Sequence, residues 1–301
     1  MKGSGPLDDA PRGRIVLAFA ALYLVWGSSF LATRVGVQQL PPLLFGCTRF
    51  VSAGLLMLGY ARWSGVRLLP QSREWQDLAV LALSGFLLSN GMNLWASQYL
   101  PSNEVALLNT TVAFWVVLLG AFGARAHRPS KLALAGVAAG TGGAILLIEP
   151  WTHTARGSLL PELAACAGCL GWAINSVYQR NMSTRLPVST LIGWQMLIGG
   201  ILLGLAGIVR GEPAHWHWQW HSLLPLSYLV LAASCIGHSA FSWLAPRTTP
   251  VTLSTYAYMN PLVATVLGWL ILGEVLSSAQ QLGSLLVISG VALTNWAARR
   301  G

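Results

Sequence analysis

The sequence predicts an all-α integral membrane protein whose ten transmembrane helices form two inverted five-helix repeats. Three observations predict it. The chain has 301 residues, 54% of them hydrophobic and only 9% charged, a balance that no ordinary soluble domain has. It contains ten mainly apolar runs separated by charges, prolines or glycines, each near the roughly 20 residues that cross a hydrocarbon core of about 30 Å. Its second half also repeats its first.

The helices follow in order. Helix 1 spans 14–34. It lacks a small-residue cleavage site and outruns a signal-peptide core, so it is expected to be retained. Helix 2 (42–61) is led by Pro41 and Pro42 and carries Arg49 midway. Helix 3 (76–98) places Ser89, Asn93 and Ser97 four residues apart on one face. Helix 4 (103–123) brings Asn109, Thr110 and Thr111, and helix 5 (131–149) the pair Gly136 and Gly140. Helix 6 (158–179) carries Trp172, Asn175, Tyr178 and Gln179. Its Cys166-x-x-Cys169 lies on an apolar helix, where cysteines pack and a buried thiol stays unreactive. Helix 7 (188–209) contains Gly200 and Gly204; both G-x-x-x-G pairs are read as close helix packing. Helix 8 (222–244) repeats the polar stripe as Ser234, His238 and Ser242. Helix 9 (251–272) sets Thr252, Tyr256 and Asn260 on one face beside Pro261, which frees a carbonyl one turn earlier. Glu274 follows it, and helix 10 spans 279–298. Glu274 is expected to stabilise the N-terminus of helix 10.

The repeat fixes the architecture. At an offset of 146, Trp26 aligns with Trp172, Arg34 with Arg180, Pro41 with Pro187 and Gly54 with Gly200. At 149, Ala96 aligns with Ala245 and Pro101 with Pro250; at 147, Gly136 aligns with Gly283 and Gly143 with Gly290. Five is odd, so the second copy enters the membrane from the opposite side, and a solute site is expected near the midplane between the halves. The domains are a tail (1–13), a first repeat (14–150), a second repeat (151–298) and a short tail (299–301).

The net charge of +9 lies in the loops. With the N-terminus cytoplasmic, the outer segments hold only Arg34, Arg156 and Arg210, and the other loop and tail Lys and Arg residues fall inside. Both termini are therefore expected in the cytoplasm. This accounts for the charge without nucleic acid. The tract His215–His221, "HWHWQWH", suits an aromatic belt at a membrane edge better than a metal site.

Polar groups are costly in hydrocarbon and turn inward. The candidate site therefore comprises Trp26, Ser89, Asn93, Asn109, Trp172, Asn175, His238, Tyr256 and Asn260, an aromatic and amide-lined chamber for a neutral or zwitterionic solute. The stripes on helices 3 and 8 are repeat mates, with Ser89 matching His238 and Asn93 matching Ser242. Interhelical hydrogen bonding is the plainer reading of each. Arg49 has no acidic residue within any span; it bonds to carbonyls or attracts an anionic group. For proton coupling, His238 is the one deeply placed group of near-neutral ordinary pKa.

The "VWGSSF" of helix 1, the proline-led helix 2 with Arg49-Phe50, and "NPLVATVLGWLILGE" followed by "LGSLLVISGV" together resemble the EamA family of the drug/metabolite transporter superfamily over residues 14–298. The first repeat departs from the pattern, with Ala124-Arg125 opposite Gly273-Glu274 and Val112 opposite Pro261. The resemblance implies a secondary transporter, an exporter or exchanger of small metabolites such as amino acids, in a bacterial inner membrane. Small-molecule substrate and lipid bilayer are its implied partners, with no cofactor, and a monomer suffices. The alternatives are a passive channel or a membrane-embedded enzyme; neither an H-E-x-x-H motif nor a nucleophile with its base is present.

Overall fold

The computed structural model describes residues 12–120, 130–148, 158–182, 186–218, 220–244, 247, 253 and 256–300. Among them the chain is helical throughout: α1 (Arg12–Val37), α2 (Pro42–Trp63), α3 (Glu74–Ala96), α4 in two pieces (Ser102–Asn109 and Val112–Gly120), α5 (Lys131–Ile148), α6 (Leu160–Asn181), α7 (Val188–Val209), α8 (Trp220–Leu244), α9 (Tyr256–Leu267, with a π turn to Leu272) and α10 (Ser278–Arg300). The beginning of the predicted helix 9, with Thr252, lies outside the described residues, as do Ala124, Arg125 and Arg156.

Five of these helices, α1, α2, α3, α7 and α8, are long and apolar enough to cross a bilayer by length and composition. Two shorter apolar stretches, Leu134–Leu147 in α5 and Met259–Leu272 in α9, accompany them. The continuous helix expected at 103–123 is broken. The hydroxyls of Thr110 and Thr111 bond back to the carbonyls of Leu107 and Leu108, each at 2.7 Å, while their own N–H groups tighten onto the same carbonyls. Such local bonding competes with the α-helical ladder.

Helices pack on their repeat mates. Between α2 and α7, a Cβ on Gly54 would lie 2.8 Å from the Leu197 nitrogen, and one on Gly200 would lie 2.8 Å from the Val51 nitrogen. Between α5 and α10, a Cβ on Gly143 would meet the Gly283 carbonyl at 2.7 Å, and one on Gly290 would meet the Gly136 carbonyl at 2.6 Å. Under the sequence offsets each contact turns into its partner: 54–197 becomes 200–51, and 143–283 becomes 290–136. The remaining contacts follow the same exchange, α1 lying on α8 and α9 while α6 lies on α3 and α4.

The helix ends gather into two rims. At one, Arg34 Nη1 donates to the Ser97 carbonyl (2.7 Å), and Ser222 Oγ donates to Gln39 (2.9 Å). At the other, Thr190 Oγ1 donates to the Arg67 carbonyl (2.7 Å), Trp194 Nε1 to the Leu68 carbonyl (2.9 Å) and Tyr178 OH to Asp77 (2.7 Å). The C-terminal end of α1 thus lies at the first rim and that of α6 at the second.

Two glutamates close the first rim. Gly211 and Gly273, at φ 76° and 65°, turn the chain at the ends of α7 and α9 and present Glu212 and Glu274. Glu212 accepts from Leu43 and Leu44 N–H (3.3 and 2.9 Å), and Glu274 from Ser102 N–H and Oγ (2.8 and 2.7 Å) and Asn103 N–H (3.2 Å). Each carboxylate satisfies the orphan donors at the start of another helix, α2 or α4, and meets the positive end of its dipole. The helix capped by Glu274 is therefore α4, not the expected helix 10, because the left-handed turn at Gly273 aims the side chain across the bundle. Glu274→Ala should destabilise the protein by about 1–2 kcal/mol, read as a lower unfolding temperature in detergent. Glu274→Gln, which keeps one carbonyl oxygen, should lose less.

Candidate functional site

Between α1, α2, α3, α4, α6, α8 and α9 lies a cavity of about 140 Å³. Eight of the nine candidate residues line it: Trp26, Ser89, Asn93, Asn109, Trp172, His238, Tyr256 and Asn260.

One wall is amide-rich. Asn109 Nδ2 donates to Asn93 Oδ1 (2.7 Å) and to the Val105 carbonyl (2.8 Å), and Asn93 Nδ2 donates to the Ser89 carbonyl (2.9 Å). Ser97 and Asn90 extend this wall along α3. The opposite wall is aromatic and centres on Trp26. Its ring lies edge-on to Trp172 (5.8 Å), Tyr256 (5.4 Å) and His238 (5.2 Å) and stacks with Phe241 (5.4 Å). Trp172 Nε1 donates to Tyr256 OH at 3.3 Å.

Two π-helical segments shape these walls, Ala82–Asn90 in α3 and Leu229–Gly237 in α8. A wide turn leaves carbonyls for side chains, and π segments recur at functional sites. Asn90 Nδ2 donates to the Gly85 carbonyl (2.6 Å), while the Ala233 carbonyl takes both Trp26 Nε1 (3.2 Å) and His238 Nδ1 (3.1 Å). Because Nδ1 pairs with a carbonyl it carries the proton, which leaves Nε2, buried without a partner, as the acceptor in the neutral ring. On α9 the Asn260 amide lies 3.3 Å from the carbonyls of Tyr256 and Tyr23 and donates to both, just before Pro261.

Asn175 departs from expectation. It is buried outside the cavity, with Nδ2 donating to the Leu81 carbonyl at 2.9 Å. Gly85 leaves room for it on α3, where a Cβ would lie 2.4 Å from Nδ2, so it joins α6 to α3 as packing. The α8 stripe is also not a wall: His238 alone faces the cavity, while Ser234 and Ser242 are buried elsewhere. Tyr178 reaches the far rim, and Ser28 bonds to Tyr228 on a face away from the chamber. Thr33 and Arg49 also line the cavity. Thr33 was not expected from the sequence, although it lies one helical turn beyond Ser29, which lines the same cavity; nor was Asn90, which the π turn brings to this face. Cys169 donates to the Leu108 carbonyl, and no metal-holding cluster of His, Cys, Asp or Glu occurs among the described residues.

Paired helical halves enclosing a cavity walled by amides and aromatic rings, in a chain this apolar, define a membrane transporter of small molecules. The chain belongs to the EamA-like transporter family, whose model matches residues 13–149 and again 159–296. It is 32% identical over 279 residues to the uncharacterized inner membrane transporter YedA of Escherichia coli, covering 92% of this chain and 89% of that one. It is 25% identical to a "Probable amino-acid metabolite efflux pump" of Escherichia coli (89% and 90% covered) and 25% identical to an uncharacterized transporter of Archaeoglobus fulgidus (92% and 96%). A protein of known crystal structure shares the fold, with a TM-score of 0.69 at 23% identity over 97% of this chain and 100% of its own.

Proposed function

We propose that the protein is a secondary transporter that exports or exchanges small organic metabolites, amino acids or related neutral or zwitterionic solutes, by alternating access around the cavity. The cavity carries this reading: it lies where the two repeats meet, so rocking one against the other would open it to each side in turn. The proposed topology is ten spans, inverted halves and cytoplasmic termini in a bacterial inner membrane. The opposed directions of α1 and α6, read from Arg34–Ser97 and Tyr178–Asp77, support the inversion. The relative named as an amino-acid metabolite efflux pump supports the substrate class.

The test is counterflow in liposomes carrying the purified protein, with a panel of labelled amino acids, with and without a pH gradient. Saturable uptake of at least one is expected; movement of none by folded protein would remove amino acids from the proposal. Cysteines introduced at Arg34 and Arg180 should label from opposite faces of the membrane, and labelling from one face would end the inverted topology.

A further inference from the structure

Arg49 is 6% exposed in the middle of α2 and lines the cavity. A guanidinium carries five N–H donors and keeps its charge in any protein environment. Only one donor is used: Nε donates to Ser234 Oγ at 3.0 Å. The Phe50 ring lies 4.6 Å from Cζ and fixes the plane of the group. Arg49 forms no ion pair; the one ion pair between described side chains joins Arg67 to Glu74 at the far rim. Of the other described carboxylates, Glu212 and Glu274 cap helices, Asp77 accepts from Tyr178, and Glu104 and Glu162, buried in the first turns of α4 and α6, form no ion pair with Arg49. Nη1 and Nη2 therefore keep their donors free beside a chamber whose other polar groups are neutral amides, hydroxyls and an imidazole. An uncompensated buried cation is costly, and removing its partner more costly still.

Resting on the transport reading, we propose that Arg49 is the substrate's carboxylate anchor, so that the transported solutes carry a free carboxylate and organic cations are rejected. Two parallel N–H groups match the two oxygens of a carboxylate in a fork that neither an amide nor an amine can complete. Ser234 holds Nε and leaves the Nη1 and Nη2 donors for that fork. A zwitterion's ammonium would lie against the Trp26, Trp172 and Tyr256 rings, which tolerate a cation on their faces.

The probes are benzoate, benzamide and benzylamine, three molecules of one shape and different charge, added to the purified full-length protein in thermal unfolding. Benzoate should raise the unfolding temperature, with an apparent affinity at least about tenfold above benzamide, and benzylamine should not. Arg49→Gln should abolish the benzoate shift, and Arg49→Lys, a point charge without the fork, should weaken it. Equal stabilisation by benzoate and benzamide, or a benzoate shift that survives in Arg49→Gln, would overturn the assignment; if the glutamine variant does not fold, the wild-type comparison and Arg49→Lys decide. Counterflow of phenylalanine against phenylalanine amide separates the two proposals. If both move equally, the anchor is wrong and transport stands; if neither moves, nor any amino acid of the panel, although benzoate binds through Arg49, the anchor stands and amino-acid transport falls.

Discussion

Gly143→Leu should abolish folded protein, whereas Gly142→Leu, one residue away on the same helix, should leave expression and unfolding temperature nearly unchanged. An added Cβ at Gly143 would lie 2.7 Å from both the Gly283 carbonyl and the Val287 nitrogen, backbone atoms that cannot turn aside; at Gly142 nothing lies within 4 Å. Overpacking by a methylene or two costs about 1–3 kcal/mol when side chains can shift. Here the obstacle is the partner helix itself, so α5 and α10 must separate along their length. Van der Waals contact between close backbones is a main source of helix association in lipid, where no hydrophobic force draws helices together. Detergent-solubilised yield and size-exclusion profile measure the outcome, and equal behaviour of the two variants would contradict the packing described.

Trp26→Ala should be nearly as severe. The ring touches Trp172, His238, Phe241 and Tyr256, and its Nε1 occupies the Ala233 carbonyl. Truncating a buried tryptophan costs about 3–5 kcal/mol, and four neighbouring rings would lose their common surface, so substrate counterflow should vanish as well. Trp26→Phe keeps the ring contacts and forfeits only the hydrogen bond, about 1 kcal/mol. A phenylalanine variant with near-normal unfolding temperature and altered transport would show that the indole N–H matters to the chamber rather than to the fold.

Much of this was legible in the sequence because helical phase and the repeat both depend only on spacing. Trp26 aligning with Trp172 placed two indoles on equivalent helices, and they meet in the structure at 5.8 Å. Gly136 was read as close packing and Gly143, Gly283 and Gly290 only as positions of the repeat, yet all four touch in crossed pairs. The helical phase held on α3, where Ser89, Asn93 and Ser97 all line the cavity, and failed on α8, where Ser234 lies within the π segment and accepts from Arg49 while Ser242, one regular turn beyond His238, is buried away from the cavity. Asn175 failed for another reason: a polar side chain opposite a glycine can bury itself between helices as readily as face a chamber. Arg49 was visible as an unpaired charge, but the acceptor that holds its Nε is Ser234, a residue 185 positions away.

Glu212 and Glu274 give the molecule a handedness that its duplicated sequence does not suggest. Both come from the second half and both clasp helices of the first. Parting the halves there would strip four backbone amides, those of Leu43, Leu44, Ser102 and Asn103, of their anionic partners at once, while the bonds described at the other rim are three from hydroxyl and indole donors, of which only that of Tyr178 ends on a carboxylate. Under the alternating access proposed above, the two rims would therefore differ in what it takes to part them.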